Sequence, residues 1–173
     1  MNSKLIIPKH LPSLEKMESQ IEQHPWFDAL AVFTVNEMSR TTKLLFDLAE
    51  NSLKEFKLSR GRHAALWSIA NAGKEGITPA EISTELEVTR GTMTGLLDGL
   101  VKDNLITREH CTDDRRKIQV RISKPGLSLL DKLAPIHYTF LADSVSGLSE
   151  KEKKTFLKLL KKIETSCLQA AQK

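Results

Sequence analysis

The chain has 173 residues, a formal net charge of +4 and an isoelectric point near 9.1. This length suits one domain-sized unit, and this charge permits binding to a polyanion without requiring it. Two cysteines give no disulfide framework, and no apolar run is long enough for a membrane span or a signal-peptide core. We therefore expect a cytoplasmic protein with no membrane segment.

The N-terminal third of the chain is predicted to be helical. Residues 1–20 form an N-terminal segment whose order the sequence does not determine. From about His24 to Phe56 the apolar residues follow a helical period without an interrupting glycine. We assign residues 21–58 to a long N-terminal dimerisation helix.

Two short helices are predicted in residues 59–86. The first runs from about residue 60 to residue 72 and ends at Gly73, because glycine is the usual left-handed residue after a helix. Thr78 and Glu81 form a capping box around Pro79, which opens a second helix that ends near Leu86.

A third helix follows after a turn of about three residues. Thr89 caps it, its apolar stripe extends to about Asp103, and Asn104 suits the left-handed conformation that ends a helix. Two amphipathic helices joined by so short a turn are typical of a helix-turn-helix, which we place at residues 78–103.

The polar face of this third helix contains glycines at four-residue spacing. Gly91, Gly95 and Gly99 each cost about 1 kcal/mol relative to alanine inside a helix. One interpretation is that they let the helix lie deep in the major groove of DNA, with Arg90 and threonine hydroxyls reaching phosphates or base edges. The alternative is close packing against another helix, or no selected role.

A β-hairpin is predicted directly after the third helix, at residues 105–123. Both arms are rich in β-branched side chains, and the second arm alternates apolar and polar positions. The loop between the arms ends in Arg115 and Arg116, and arginines at a hairpin tip can enter the minor groove, where the negative potential is deep. An arginine pair on a hairpin is otherwise an ordinary solvated turn, but its place after a helix-turn-helix favours a DNA-binding wing. We assign residues 59–123 to this DNA-binding lobe.

Two further helices are predicted in residues 124–172, which we assign to dimerisation. Pro135 is expected to kink the first. Ser149 and Glu152 form a second capping box, and the helix they open carries an apolar stripe from Phe156 to Cys167. The first and last long helices have more apolar surface than one lobe can cover. This surplus predicts a two-fold homodimer, with recognition helices about 34–36 Å apart on a pseudo-palindromic operator.

The central part of the chain, from about Leu58 to Gly126, resembles the MarR family of bacterial winged-helix regulators. The resemblance rests on four stretches, which are Val88–Thr94, Leu100–Ile106, Asp114–Arg116 and Ile122–Gly126. It implies that Arg116 reads the minor groove and that Asp114 holds Arg116 in place. Asn104 stands where the family prefers glycine. Gly95 and Gly99 stand where basic or polar side chains are frequent, so the family's pattern of base contacts does not carry over to them.

The same resemblance implies dimerisation through the terminal helices and a small effector, often aromatic or phenolic. The aromatic side chains cluster in the terminal helix and in the helix that it must touch. Trp26, Phe33 and Trp67 are therefore candidate ligand-binding residues. Ordinary core packing is the alternative for each of them.

The distribution of aromatic residues separates two classes of nucleic-acid binding. Every Phe, Tyr and Trp lies outside residues 68–137. Readers of single strands and of RNA use exposed aromatic side chains on which bases stack. Duplex DNA is therefore the favoured partner of this lobe.

The sequence as a whole predicts a mostly α-helical (α+β) winged helix-turn-helix protein that regulates transcription. We expect a ligand-responsive repressor rather than an enzyme, with no cofactor and no metal site, because His110, Cys111 and Asp113 lack paired ligand spacing. The alternative function is a winged-helix module that binds a protein and not specific DNA. The predicted DNA-binding residues are Thr89, Arg90, Gly91, Thr92, Thr94, Gly95, Asp114, Arg115 and Arg116.

Overall fold

A computed structural model describes residues 12–19, 24, 26–110 and 118–172 of the chain. The chain divides into two compact units, residues 1–51 and 52–173. Helix α1 covers Leu14–Glu18, and helix α2 covers Ala29–Lys54, so that its last residues belong to the second unit. Helix α2 begins later than its apolar period predicts, because the Asp28 side chain accepts the Ala31 N–H at 2.9 Å and so caps the helix at that point.

The second unit contains the remaining helices and a two-stranded antiparallel hairpin, which confirms the mostly α-helical (α+β) prediction. Within the described residues, no helix has the length and apolar character needed to span a membrane. The elements in chain order are α3 (Arg60–Asn71), α4 (Pro79–Glu85), α5 (Arg90–Lys102), β1 (Ile106–His110), β2 (Ile118–Ile122), α6 (Lys124–Ser144) and α7 (Glu150–Ala170).

The helix ends lie where local sequence signals place them. Thr78 and Ser149 form complete capping boxes with Glu81 and Glu152, and Thr89 caps α5 through the Thr92 N–H. Gly73 and Asn104 have φ values of 63° and 57°, so both predicted left-handed terminators are confirmed. Helices α4 and α5 each end one residue before the predicted position.

The core of the second unit joins α3, α4, α5, α6 and the hairpin. Val120 of β2 is fully buried and forms a β-bridge with Ile77, with N···O distances of 3.1 and 2.8 Å. Gly126 opens α6 so close to Leu105 that a Cβ atom at residue 126 would overlap the Leu105 carbonyl oxygen. The largest fully buried side chains are Leu53, Leu66, Ile69, Ile82, Met93, Leu97, Leu100, Val120 and Leu133.

The last helix does not contribute to this core. Helix α7 has no buried residue, and Phe156 and Cys167 are exposed, so its apolar stripe is not covered within the single chain. Helix α6 continues through Pro135 from Lys124 to Ser144. The kink expected at Pro135 stays a prediction.

Four aromatic rings pack together between α3 and α6. His63 contacts His137 at a centroid distance of 4.9 Å, and Trp67 and Tyr138 complete the group. His63 Nε2 and His137 Nδ1 are buried without a hydrogen-bond partner. Burial, and then the charge of His137, lower the pKa of His63 from 6.5 to about 4.

This pKa predicts that the protein loses stability in mild acid. Between pH 6.5 and pH 4 the unfolded chain binds a proton at His63 and the folded chain does not, so the free energy of unfolding falls as the pH falls. We expect this loss to be about 1–3 kcal/mol, and to be absent in His63→Phe. Denaturant unfolding at pH 7, 5.5 and 4 measures it, with His24→Phe as the control that keeps the wild-type slope. Parallel curves for wild type and His63→Phe would contradict the prediction.

Candidate nucleic-acid interface

Helix α5 has one buried face and one solvent-exposed face. Met93, Leu97 and Leu100 are at most 1% exposed and lie in the core. The opposite side of its N-terminal half is solvent-exposed and contains the DNA-binding residues predicted on this helix and its cap, which are Thr89, Arg90, Gly91, Thr92, Thr94 and Gly95. The structure therefore brings these residues together on one accessible surface, which we call the exposed α5 face.

The N-terminus of α4 lies beside the exposed α5 face. The turn between the two helices is closed by a hydrogen bond from the Val88 N–H to the Ser83 carbonyl oxygen at 3.0 Å, with Glu87 in the left-handed region at φ 52°. The two helices border an open depression of about 510 Å³. Sequence reasoning missed its α4 residues and its strand residue, because they belong to elements that spacing along α5 does not connect with the exposed α5 face. The residues that line it are Thr78, Pro79, Ala80, Ser83, Arg90, Thr94 and Ile118.

The threonine hydroxyls of this face are already partly engaged. Thr89 Oγ1 accepts the Thr92 N–H at 3.1 Å and lies 2.9 Å from Thr92 Oγ1. Thr94 Oγ1 donates to the Arg90 carbonyl oxygen at 2.9 Å. A hydroxyl has one proton and two acceptor positions, so Thr94 offers a ligand its acceptor positions only.

The glycines of α5 divide into two groups. A Cβ atom at Gly95 would meet nothing within 4 Å, and one at Gly91 would meet only Thr89 Oγ1, at 4.0 Å. A Cβ atom at Gly99 would lie 3.4 Å from Arg62 Nε and 3.5 Å from Arg62 Cζ. The groove interpretation thus remains open at Gly91 and Gly95, whereas Gly99 follows the alternative of close packing against another helix.

Two arginines of the hairpin are held by carboxylates. Arg108 of β1 pairs with Asp98 of α5 at 2.7 Å, so this ion pair connects the hairpin to α5. Arg121 of β2 pairs with Glu109 of β1 and also donates to the Glu75 carbonyl oxygen at 3.4 Å. Neither pairing was expected from sequence, because the partners lie on different elements.

The remaining predicted site residues lie elsewhere. Asp114, Arg115 and Arg116 fall outside the described residues. Trp26 is 80% exposed and half-buried Phe33 lies on α2, both in the first unit, whereas Trp67 is half-buried against His63 and Tyr138 in the second. Within the described parts of the chain, no three His, Cys, Asp or Glu side chains converge as metal ligands.

Comparison with protein families identifies this arrangement. Residues 58–118 match the MarR family, and the match covers α3, α4, α5 and β1. This central part of the chain is thus similar to the MarR family. The HTH-type transcriptional repressor YetL of Bacillus subtilis (strain 168) is 29% identical over 152 residues, which are 88% of this chain and 91% of YetL. The similarity to YetL thus extends beyond residues 58–118.

Solved MarR-family structures share the fold. AbsC from Streptomyces coelicolor has a TM-score of 0.72 at 21% identity, with 82% of this chain and 97% of AbsC covered. MepR from S. aureus, solved as a complex with DNA, has a TM-score of 0.67 at 22% identity, with 77% of this chain and 95% of MepR covered. At this identity the likeness establishes the architecture.

The glycines of the exposed α5 face yield a test by substitution. Gly95→Ala should raise the free energy of unfolding by about 0.5–1 kcal/mol, because alanine is the better helix former and its methyl group enters open space. If α5 lies in the major groove of DNA, the same methyl group should lower the affinity for duplex DNA, because it would hold the helix backbone away from the base edges.

Thermal unfolding and a DNA-binding titration measure the two effects. Gly147→Ala is the matched control, since residue 147 also has open space around it but lies between α6 and α7. It should leave DNA binding unchanged. Unaltered DNA affinity in Gly95→Ala would contradict close approach at this residue.

Proposed function

We propose that this chain is a sequence-specific regulator of transcription that binds duplex DNA through the exposed α5 face. The observation that carries the proposal is the solvent-exposed surface formed by Thr89, Arg90, Gly91, Thr92, Thr94 and Gly95 on a helix whose other face is buried. Relatives support it, because YetL is named a repressor, MepR was solved with DNA, and a mutant of MarR from E. coli was solved with operator DNA. We expect this chain to be a cytoplasmic repressor that responds to a ligand.

Each residue of the exposed α5 face has a distinct proposed role. Thr89 contacts a phosphate at the N-terminus of α5, where the free N–H groups favour an anion. Arg90 donates to a phosphate or to guanine, whose O6 and N7 both accept. Thr94 uses its remaining acceptor positions toward adenine N6 or cytosine N4, since its proton is held by the Arg90 carbonyl oxygen. Thr92, Gly91 and Gly95 line the approach to the groove.

The hairpin acts as the wing in this proposal. Arg116 enters the minor groove, Asp114 orients it, and Arg115 contacts the backbone. Support comes from the base of the hairpin, which is anchored by the Arg108–Asp98 pair and by the Arg121–Glu109 pair. These pairs fix the two strands of the hairpin relative to α5 and to each other.

We propose a homodimer, with residues 21–58 and 124–172 as its dimerisation segments. The support is apolar surface that the chain leaves exposed: Leu30, Val35, Leu44 and Leu48 on α2, and Phe156, Leu157, Leu159 and Leu168 on α7. Large exposed apolar patches are typical of protein interfaces. A two-fold dimer reads a pseudo-palindromic operator with half-sites about one helical turn apart.

The wing provides the decisive test of DNA reading. Arg116→Ala should weaken binding to the chain's own upstream promoter DNA by about 1–3 kcal/mol and relax its specificity, because a groove contact is lost. Fluorescence titrations at several salt concentrations measure this against a scrambled duplex. Saturation at two chains per operator is expected for the dimer.

Lys132→Ala is the matched control, because it removes an exposed cation of α6. It should bind as wild type does. Binding by the wild type that ignores both the DNA sequence and Arg116 would favour the alternative, a winged-helix module for a protein partner.

We further propose a small aromatic or phenolic effector that contacts Trp26, Phe33 or Trp67. The support is that Trp26 presents most of its surface and that Trp67 lies against the His63 and Tyr138 rings. Because the chain has two tryptophans, 4-hydroxybenzoate should quench its fluorescence and release promoter DNA. Trp26→Phe and Trp67→Phe identify which ring responds. Quenching without DNA release would contradict a regulatory role for this ligand class.

A further inference from the structure

Arg62 of α3 contacts the C-terminal end of α5. Its Nη2 donates to the Gly99 carbonyl oxygen at 3.0 Å and forms an ion pair with Asp103, the residue that ends α5. Its Nη1 lies 3.4 Å from the Lys57 carbonyl oxygen. One guanidinium therefore joins α3, the end of α5 and the segment that leads out of α2.

The guanidinium fits against α5 because residue 99 has no side chain. Arg62 Nε is buried without a hydrogen-bond partner, and the Cβ position of residue 99 lies 3.4 Å from it. The Arg62 side chain is 20% exposed, so the ion pair with Asp103 is partly shielded from solvent. The guanidinium is thus largely buried, whereas the Asp103 carboxylate is 46% exposed.

Charge at the end of α5 explains why a cation is needed there. The C-terminus of a helix carries partial negative charge, and the Asp103 carboxylate adds to it. Arg62 offsets both, and its hydrogen bond and charge lower the pKa of Asp103. Without Arg62, the last turn of α5 would have a carboxylate at its unfavourable end.

The third contact connects α5 to the end of α2. Lys57 is in the left-handed region at φ 54°, and its neighbours Leu53 and Leu58 are buried in the core at 1% and 3% exposure. The backbone at Lys57 is thus held on both sides. Arg62 binds both this backbone and the end of α5, so it sets the orientation of α5 relative to the segment at Lys57.

We propose that Arg62 is the positioning residue of the recognition helix, because its guanidinium fixes the end of α5 to the segment that leaves α2. The inference rests on the proposed function, in which α5 reads DNA. Arg62 lies at the opposite end of α5 from the exposed α5 face, so it acts on DNA binding through the orientation of α5. Sequence reasoning missed it because its partners are 37 and 41 residues away.

The test separates positioning from stability and from direct DNA contact. Arg62→Gln should lower affinity for the promoter duplex about tenfold, leave affinity for scrambled DNA unchanged and leave the salt slope unchanged. Arg62→Lys keeps the charge but lacks the planar fork that reaches several acceptors, so an intermediate loss is expected. Asp103→Asn, which keeps the Gly99 contact, should lose less than Arg62→Gln. Lys132→Gln is the control for removal of a cation.

Two outcomes would overturn the inference. If folded Arg62→Gln melts at a lower temperature but binds the promoter as wild type does, Arg62 only stabilises the fold. If the salt slope falls by about one unit and scrambled DNA is bound more weakly as well, Arg62 contacts a phosphate directly. Should Arg62→Gln not fold, Arg62→Lys and Asp103→Asn supply the same comparison. If the wild-type protein binds the promoter duplex and scrambled DNA with equal affinity, the proposed function itself is contradicted. That result is independent of the Arg62 variants.

Discussion

The burial of one stripe of α5 determines the rest of the DNA-binding lobe. Met93, Leu97 and Leu100 are almost completely removed from solvent, and each such side chain stabilises the fold by about 1.5–3 kcal/mol. Rotating α5 to bury another face would forfeit that energy. The exposed α5 face is therefore turned outward by packing, and it stays available for a ligand.

The basic residues of the lobe have two different uses. Arg62, Arg108 and Arg121 are paired with carboxylates from other elements and hold α5 and the hairpin in place. Arg90 is exposed at the start of α5. The carboxylates that pair with these arginines all lie in residues 89–121, so the net charge of that range is only +2 although it contains seven lysines and arginines. Bulk charge is a poor guide here, because several cations serve architecture.

Much of the fold could be predicted because its signals are local. Capping boxes at Thr78 and Ser149 and the terminator at Asn104 depend on residues within one turn of each other. Other contacts join residues from different elements, and spacing along one helix does not reveal them. Examples are the packing of Gly99 against Arg62, the ion pair of Asp98 with Arg108, and the hydrogen bond from Arg62 to the Gly99 carbonyl oxygen. The stripe of α7 was predicted as apolar but not as exposed, because periodicity identifies an apolar face without saying what covers it.

The junction after the hairpin has a consequence for how operator recognition can change. The Ser123 hydroxyl donates to the Asn104 carbonyl oxygen at 2.6 Å, and the Ser123 N–H donates to the Leu105 carbonyl oxygen at 3.0 Å. Gly126 packs against the same Leu105. The exit of α5, the return of β2 and the start of α6 thus meet at one point and share few degrees of freedom. In the proposed dimer, the half-site sequence would then be a property of this lobe, whereas the separation of half-sites would be a property of the terminal helices. Exchange of the lobe between relatives should transfer the half-site sequence and leave the half-site separation of the recipient unchanged.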